Sequence, residues 1–282
     1  MKSYTKHIAV FGSARSGTSW LAEIIARQHR YRLLFEPEHP INTKKGKLIS
    51  DVYLTKNQND KQIDAYLKQV FANRVDNDWI AQLSNRKYKR HLWPYIPKKY
   101  VIKFVRCNLM AAYISEQFQM PLIHIVRNPY DVISSQQRVK FPWLYDMSSF
   151  TNQPQLLDLI WDKYGMSLDD IKKMNDVETL AFRWCLENEV PLQTQAPYAF
   201  KHKVVRHETL RGNLQEFLSL CDFFDLEPLE NIHDEYTRPS SKTHPKSAIR
   251  SNKEAKQKLE SADIKKINTI LDIFESQQYP RE

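Results

Sequence analysis

The chain has 282 residues, 41% of them apolar and 12% aromatic, enough to bury a large core and to exclude general disorder. Its net charge of +9 points to anionic partners, whether nucleic acid, polyanionic sugar, acidic lipid or a highly charged nucleotide. No apolar run is long enough to cross a membrane, the three cysteines (Cys107, Cys185, Cys221) form no CxxC pair, and the nine histidines show no ligand spacing, so neither a disulfide framework nor a metal is expected. The N-terminus MKSYTKH leads almost at once into the first strand, so no signal peptide is expected. A soluble, cytoplasmic product built as a single domain over 1–282 is therefore expected.

The first apolar run, Ile8 to Phe11, leads into a loop, and an amphipathic run from Thr18 leads out: strand, tight loop, helix. Two of the five glycines, Gly12 and Gly17, sit in this loop. Against the phosphate-loop template GxxxxGK[ST] the match runs Gly12, Gly17, Thr18, Ser19, with threonine in the lysine position. Backbone N–H groups of such a loop converge on an anion, and the helix N-terminus adds roughly half a positive charge. Arg15 stands as the replacement cation. The missing lysine argues against an ATP or GTP enzyme, because that lysine reaches the β and γ phosphates. Two alternatives stay open here: a P-loop kinase or NTPase with a displaced cation, and an ordinary strand-to-helix turn.

Thr18 to Arg30 carries Trp20, Leu21, Ile24 and Ile25 at helical spacing, and an extended run, Arg32 to Phe35, stops at Glu36-Pro37. From Pro37 to about Asn57 the pattern is irregular and reads as a surface excursion over one end of the sheet. Residues 60–73 read as a helix. The segment 84–99 combines six Lys/Arg with Tyr88, Trp93 and Tyr95. Such interleaving can grip single-stranded nucleic acid or an acidic glycan, but prolines interrupt any regular platform and a solvated connector is the first reading. A nucleic-acid-binding protein therefore ranks last among the functional readings. Residues 101–105 read as a buried strand and 109–118 as a short helix.

In residues 121–136, Leu122 to Val126 is a strand, Arg127 marks its carboxyl edge, and Asn128-Pro129 turns the chain into a helix. Ligands of open parallel sheets lie at the carboxyl ends of strands, which puts Arg127 on the rim that carries Arg15. Residues 139–165 predict a loop with helices that line or cover a pocket. Trp161 there reads as core packing, while Trp143 and Tyr145 beside Lys140 would suit an acidic sugar. A long helix over Val177–Thr194, a strand over Lys203–Val205, an amphipathic run over Leu214–Phe224 and a last helix from about Glu254 to Ser276 follow. Strand runs alternating with helices predict an α/β fold, a P-loop-type doubly wound, mainly five-stranded parallel sheet flanked by helices. Active-site insertions are expected near 37–58 and 139–165, and a basic loop near 238–253.

Three stretches together resemble the sulfotransferases that use 3′-phosphoadenosine 5′-phosphosulfate (PAPS). ARSGTSWL, residues 14–21, is similar to their 5′-phosphosulfate loop, and IVRNPYDVISS, residues 125–135, to their 3′-phosphate motif, an arginine followed eight positions later by serine, here Arg127 and Ser135. VVRHETL, residues 204–210, is similar to a later strand-end motif that usually carries tyrosine where His207 stands. A donor with two separate anionic groups needs two sites, and the two motifs supply them.

The resemblance implies a sulfuryl transfer from PAPS to an acceptor hydroxyl, leaving 3′,5′-adenosine diphosphate (PAP), without a metal. Arg15, Ser16, Gly17, Thr18 and Ser19 would cradle the phosphosulfate, and Arg127 with Ser135 the 3′-phosphate. Trp20 has two readings, a stack on adenine or a core tryptophan. The phenol and steroid branch carries Lys-Thr-His on its middle strand. Here that strand reads Lys103-Phe104-Val105, so the basic histidine is missing. Glu36-Pro37 matches the Glu-Pro pair of the carbohydrate-like and bacterial branch, which makes Glu36 the expected base, with a salt bridge to Arg15 as its alternative role. Lys103 would assist the phosphosulfate or pair with a neighbouring carboxylate. Ser241, Lys242 and Arg250 are the expected contributors of the basic C-terminal loop, for which a solvated loop is the other reading. A glycan or other small polar acceptor is the expected partner.

Overall fold

The computed structural model describes residues 3–28, 30–82, 99–242 and 259–282. The basic-aromatic segment 84–98, Arg250 and the expected helix start at 254–258 lie outside these residues.

Continuous apolar runs cannot present one wet face, so they need cover on both sides, which a parallel sheet between helices provides. β1 (Ile8–Phe11), β2 (Tyr31–Phe35), β3 (Lys99–Lys103), β4 (Leu122–Val126) and β5 (His202–Arg206) form one five-stranded sheet in the order β2-β3-β1-β4-β5. Every pairing is parallel. Each residue of β1 and β4 is buried, whereas the edge strand β5 leaves Val204 39% exposed. In register, Phe35 and Val10 both face Lys103, Phe11 faces His124, and Val126 faces Arg206. The strands therefore finish along one edge of the sheet. The segments that leave them, at Gly12, Glu36, Phe104, Arg127 and His207, are gathered there.

β3 lies two residues upstream of the expected 101–105 run. Its pairing with β2 ends at Phe35↔Lys103, after which Phe104 turns into the core, its N–H bonded to the Val10 carbonyl at 2.8 Å and its ring stacked on Phe11 at 5.0 Å. The apolar run outlasts the strand: Phe104 keeps one backbone bond to β1, and Val105 gives its N–H to the Glu38 carboxyl at 2.7 Å instead of to a strand.

Helix starts follow the expected chemistry. Asn128 caps the N–H groups of Tyr130 and Asp131 with Pro129 next in line, and Asn175 and Glu178 form a reciprocal capping box for the Asp176–Thr194 helix. That helix packs against the C-terminal helix, described here as Ser261–Ile273. In the Pro154–Tyr164 helix, Leu156, Ile160 and Tyr164 recur every fourth position as the buried stripe. Trp161 sits one residue past it and is 58% exposed, which corrects the core assignment.

The stretch from Pro37 to Asn57 is less superficial than its sequence suggests. Thr43 Oγ1 donates to the Pro37 and His39 carbonyls at 3.0 and 2.8 Å, Tyr66 Oη reaches the Pro37 carbonyl at 2.6 Å, and Ile49 is wholly buried. Asp51 pairs with the buried Arg183 at 3.2 Å. No helix among the described residues is long and apolar enough to cross a membrane.

Candidate active site

After β1 the chain turns through Gly12 to Gly17. A Cβ at Gly12 would lie 2.5 Å from the Ile125 carbonyl oxygen, so only glycine lets the loop run this close to β4. Gly17 has a φ of 90°, and a Cβ there would fall 2.3 Å from the His207 ring. Between them Ser13 and Ser16 close the turn, their Oγ atoms 3.0 Å apart, and Arg15 holds a left-handed φ of 75°. Non-glycine residues stay in that region only when the surroundings hold them there. The Thr18–Ala26 helix starts on Gly17, which has no side chain to cap it. Its first-turn N–H groups lack intrahelical acceptors and form the positive end that anions prefer.

Two arginines are linked beside this helix end. Arg15 Nε donates to Ser135 Oγ at 3.0 Å, and Arg127 Nη1 donates to the Arg15 carbonyl at 3.0 Å. Arg127 Nη2 reaches Asp131 at 3.5 Å, while its buried Nε, 4.0 Å from Glu208 Oε1, has no hydrogen-bond partner among the described residues. Trp184 Nε1 fixes the strand end by donating to the Arg127 carbonyl at 3.1 Å. Burial, then the charges of Arg127 and Arg138, lowers the Arg15 pKa. An anion between Arg15 and Arg127 would relieve that repulsion. His207, packed on Gly17, is pushed down to about 4, chiefly by burial and next by Arg127, so it adds no charge near neutral pH.

Opposite the arginines stand two carboxylates. Glu36, at the end of β2, has its carboxylate on the Lys103 ammonium, and its own N–H donates to the Lys103 carbonyl at 3.0 Å. Its ion-pair partner is thus Lys103, where the sequence had suggested Arg15. Lys103 Nζ also lies 4.3 Å from the Phe35 ring centroid. Glu38 is 1% exposed. Its Oε1 accepts the N–H groups of Val105 and Arg106 at 2.7 and 3.2 Å, and its Oε2 has no partner. Burial, then the charge of Glu36, raises its pKa to about 7.

A cavity of about 530 Å³ joins the two sides. Arg15, Gly17, Thr18, Ser19 and Trp20 line it from the loop, and Glu36, Lys103, Arg127 and Lys242 from elsewhere on the rim. Trp20 is also packed: its Nε1 donates to the Tyr236 carbonyl at 3.2 Å and Arg211 lies over its ring at 4.9 Å. Ser16 is wholly buried against Ser13, and Ser135 reaches the site through Arg15. Ser241 is turned away, its Oγ 2.6 Å from a Glu23 carboxylate oxygen, whereas its neighbour Ser240 lines the cavity. The sequence reading had not singled out Arg106, Trp79, Arg211 or Phe141, all of which line it. The strand-end rule that marked Arg127 applies equally to Arg106 and would have found it. Arg211, inside a short helix, carried no such signal.

Among the described residues no group of His, Cys, Asp and Glu side chains is placed to hold a metal ion. No family model and no curated protein matches the chain. Among solved structures it is similar to the sulfotransferase domain from the curacin biosynthetic pathway, at 18% identity with a TM-score of 0.45 over 100% of this chain and 94% of that one. It is also similar to the sulfotransferase domain from the Synechococcus PCC 7002 olefin synthase, at 16% identity with a TM-score of 0.47 over 99% and 97%. A third is mouse sulfotransferase SULT7A1, solved with PAP, at 12% identity with a TM-score of 0.44 over 99% and 87%.

Proposed function

We propose that the protein is a sulfotransferase that moves the sulfuryl group of PAPS to a hydroxyl of a carbohydrate or similar polar acceptor. The observation that supports this reading is that arginines following two different strands, Arg15 and Arg127, line one cavity, with Arg127 Nη1 bonded at 3.0 Å to the Arg15 backbone carbonyl. The contiguous phosphates of ATP call for one cradle with a lysine, and Thr18 stands in the lysine position. A donor with a 5′-phosphosulfate and a distant 3′-phosphate calls for two cationic sites. The buried Nε of Arg127 lies 4.0 Å from Glu208 Oε1 and meets no hydrogen-bond acceptor among the described residues, so it can still donate to an anionic ligand.

In this reading the loop N–H groups, Arg15, Thr18 and Ser19 hold the phosphosulfate, and Arg127 with Ser135 holds the 3′-phosphate. Trp20 and Lys242 border the nucleotide. The acceptor oxygen forms its bond to sulfur as the bond from sulfur to the 5′-phosphate breaks, and the acceptor proton passes to Glu36. Charge growing on the departing phosphate is met by Arg15 and the helix end, already in place before the reaction. Lys103 keeps the Glu36 carboxylate directed into the cavity.

Isothermal titration with PAP tests the proposal. Binding in the micromolar range is expected, and a folded sample that binds none overturns it.

A further inference from the structure

We propose that Arg106 selects the acceptor: the hydroxyl-bearing substrate carries a carboxylate, or a similar planar oxyanion, that pairs with this guanidinium above Trp143. The inference rests on the sulfotransfer reading, in which the donor occupies Arg15 and Arg127 and leaves a third cavity guanidinium without an assigned anion.

Arg106 follows β3 and is only 8% exposed, with its Cζ 3.6 Å from the Trp143 ring centroid. Its backbone is held on both sides, the N–H by Glu38 Oε1 at 3.2 Å and the carbonyl by the Asp51 N–H at 2.6 Å. The side chain is held only by stacking. Among the described residues no hydrogen-bond acceptor meets its N–H groups and no carboxylate comes within ion-pair distance. The nearby charges are Asp51, Glu38, Glu187 and Arg183. Asp51 Oδ1 and Glu187 Oε1 pair with Arg183 at 3.2 and 2.9 Å, and Glu38 Oε1 accepts backbone N–H groups; the second oxygens of Glu38 and Glu187 meet no donor among the described residues, Arg106 included.

A guanidinium on an indole face keeps its edge N–H groups free, and that edge matches a carboxylate in two parallel hydrogen bonds. Its place in the cavity is on the acceptor side. Lys103, paired with Glu36, precedes it on the same strand end, and Glu38 holds its backbone. Phe141, 44% exposed on the cavity wall, adds apolar contact for a sugar or aromatic ring.

Phenyl β-D-glucuronide and phenyl β-D-glucoside, which differ in the carboxylate, serve as probes, titrated into the PAP-loaded protein and into the free protein. The glucuronide is expected to bind about tenfold more tightly or better. Arg106→Gln should erase the difference and Arg106→Lys should keep part of it, while PAP affinity stays within about twofold. Equal affinity for the two probes, no binding of either, or loss of PAP binding in Arg106→Gln overturns the assignment. Failure of the wild-type protein to bind PAP counts against the sulfotransfer reading alone, since the probe titration on free protein still decides the role of Arg106.

Discussion

Arg15 Nε donates to Ser135 Oγ over 3.0 Å, tying the loop after β1 to the helix after β4. The sequence motifs assign these residues to opposite ends of the donor, yet they touch. Together with the bond from Arg127 to the Arg15 carbonyl, this contact makes the two proposed anion sites one hydrogen-bonded unit. Mutations within such a unit couple rather than add.

Arg127→Ala should therefore weaken PAP by at least about tenfold, the loss expected for a charge-assisted hydrogen bond to phosphate. Ser135→Ala should cost less. In a double-mutant cycle on PAP affinity, Arg15→Ala and Ser135→Ala should deviate from additivity. Additive losses would mean that the 3.0 Å contact does not act in the nucleotide-bound protein.

Glu36→Gln should leave PAP affinity nearly unchanged and lower turnover by about 10²–10⁴-fold, the usual share of a general base. Single-turnover sulfuryl transfer with a working acceptor separates this from a binding defect. A fully active Glu36→Gln enzyme would remove Glu36 from the mechanism.

The buried Glu38 predicts a pH-dependent stability difference. Its pKa is raised from 4.5 to about 7, so between these values the folded protein keeps a proton that the unfolded chain has released. Its contribution to stability accordingly falls as pH rises from about 4.5 to about 7. His7, His124 and His207, each lowered to about 4, act in the opposite sense below pH 6.5, so wild type alone shows a partly cancelled profile. The stability of Glu38→Gln relative to wild type should rise across that window by roughly 2–3 kcal/mol, read by urea denaturation at pH 5 and pH 7. A flat difference would refute the buried, proton-holding carboxyl.

Gly17→Ala should destabilise the fold by about 1–3 kcal/mol, because it meets both a φ of 90° and the His207 ring. His207→Ala in the same chain removes the collision but not the backbone strain, so it should restore part of the loss in thermal unfolding. Complete restoration would place the whole cost in the collision.

The course of the backbone was legible wherever local chemistry decides it. Apolar runs marked all five strands, the third of them two residues late, Asn128-Pro129 turned the chain into its helix, and the glycine loop declared its turn. Legibility failed where packing overrode local pattern. β3 ended early because the Val105 N–H is taken by the Glu38 carboxyl, and Trp161 faced outward because Leu156, Ile160 and Tyr164 already made the buried stripe.

The site divides along the same line. Its first arginine, its second arginine and Glu36 each follow a strand, so one rule about strand ends finds them in the sequence. Their partners are another matter. That Glu36 takes Lys103, that Arg15 reaches Ser135, that Glu38 sits on the turn after β3, and that Arg106 lies above Trp143 with no ion-pair partner among the described residues all depend on the strand order β2-β3-β1-β4-β5. Sequence by itself determined which groups arrive at the rim, because strand periodicity and glycine sterics are local. Only the tertiary structure decided which of them meet, because charge pairing and burial are set by distances between segments far apart in the chain, 120 residues for Arg15 and Ser135 and 216 for Trp20 and Tyr236.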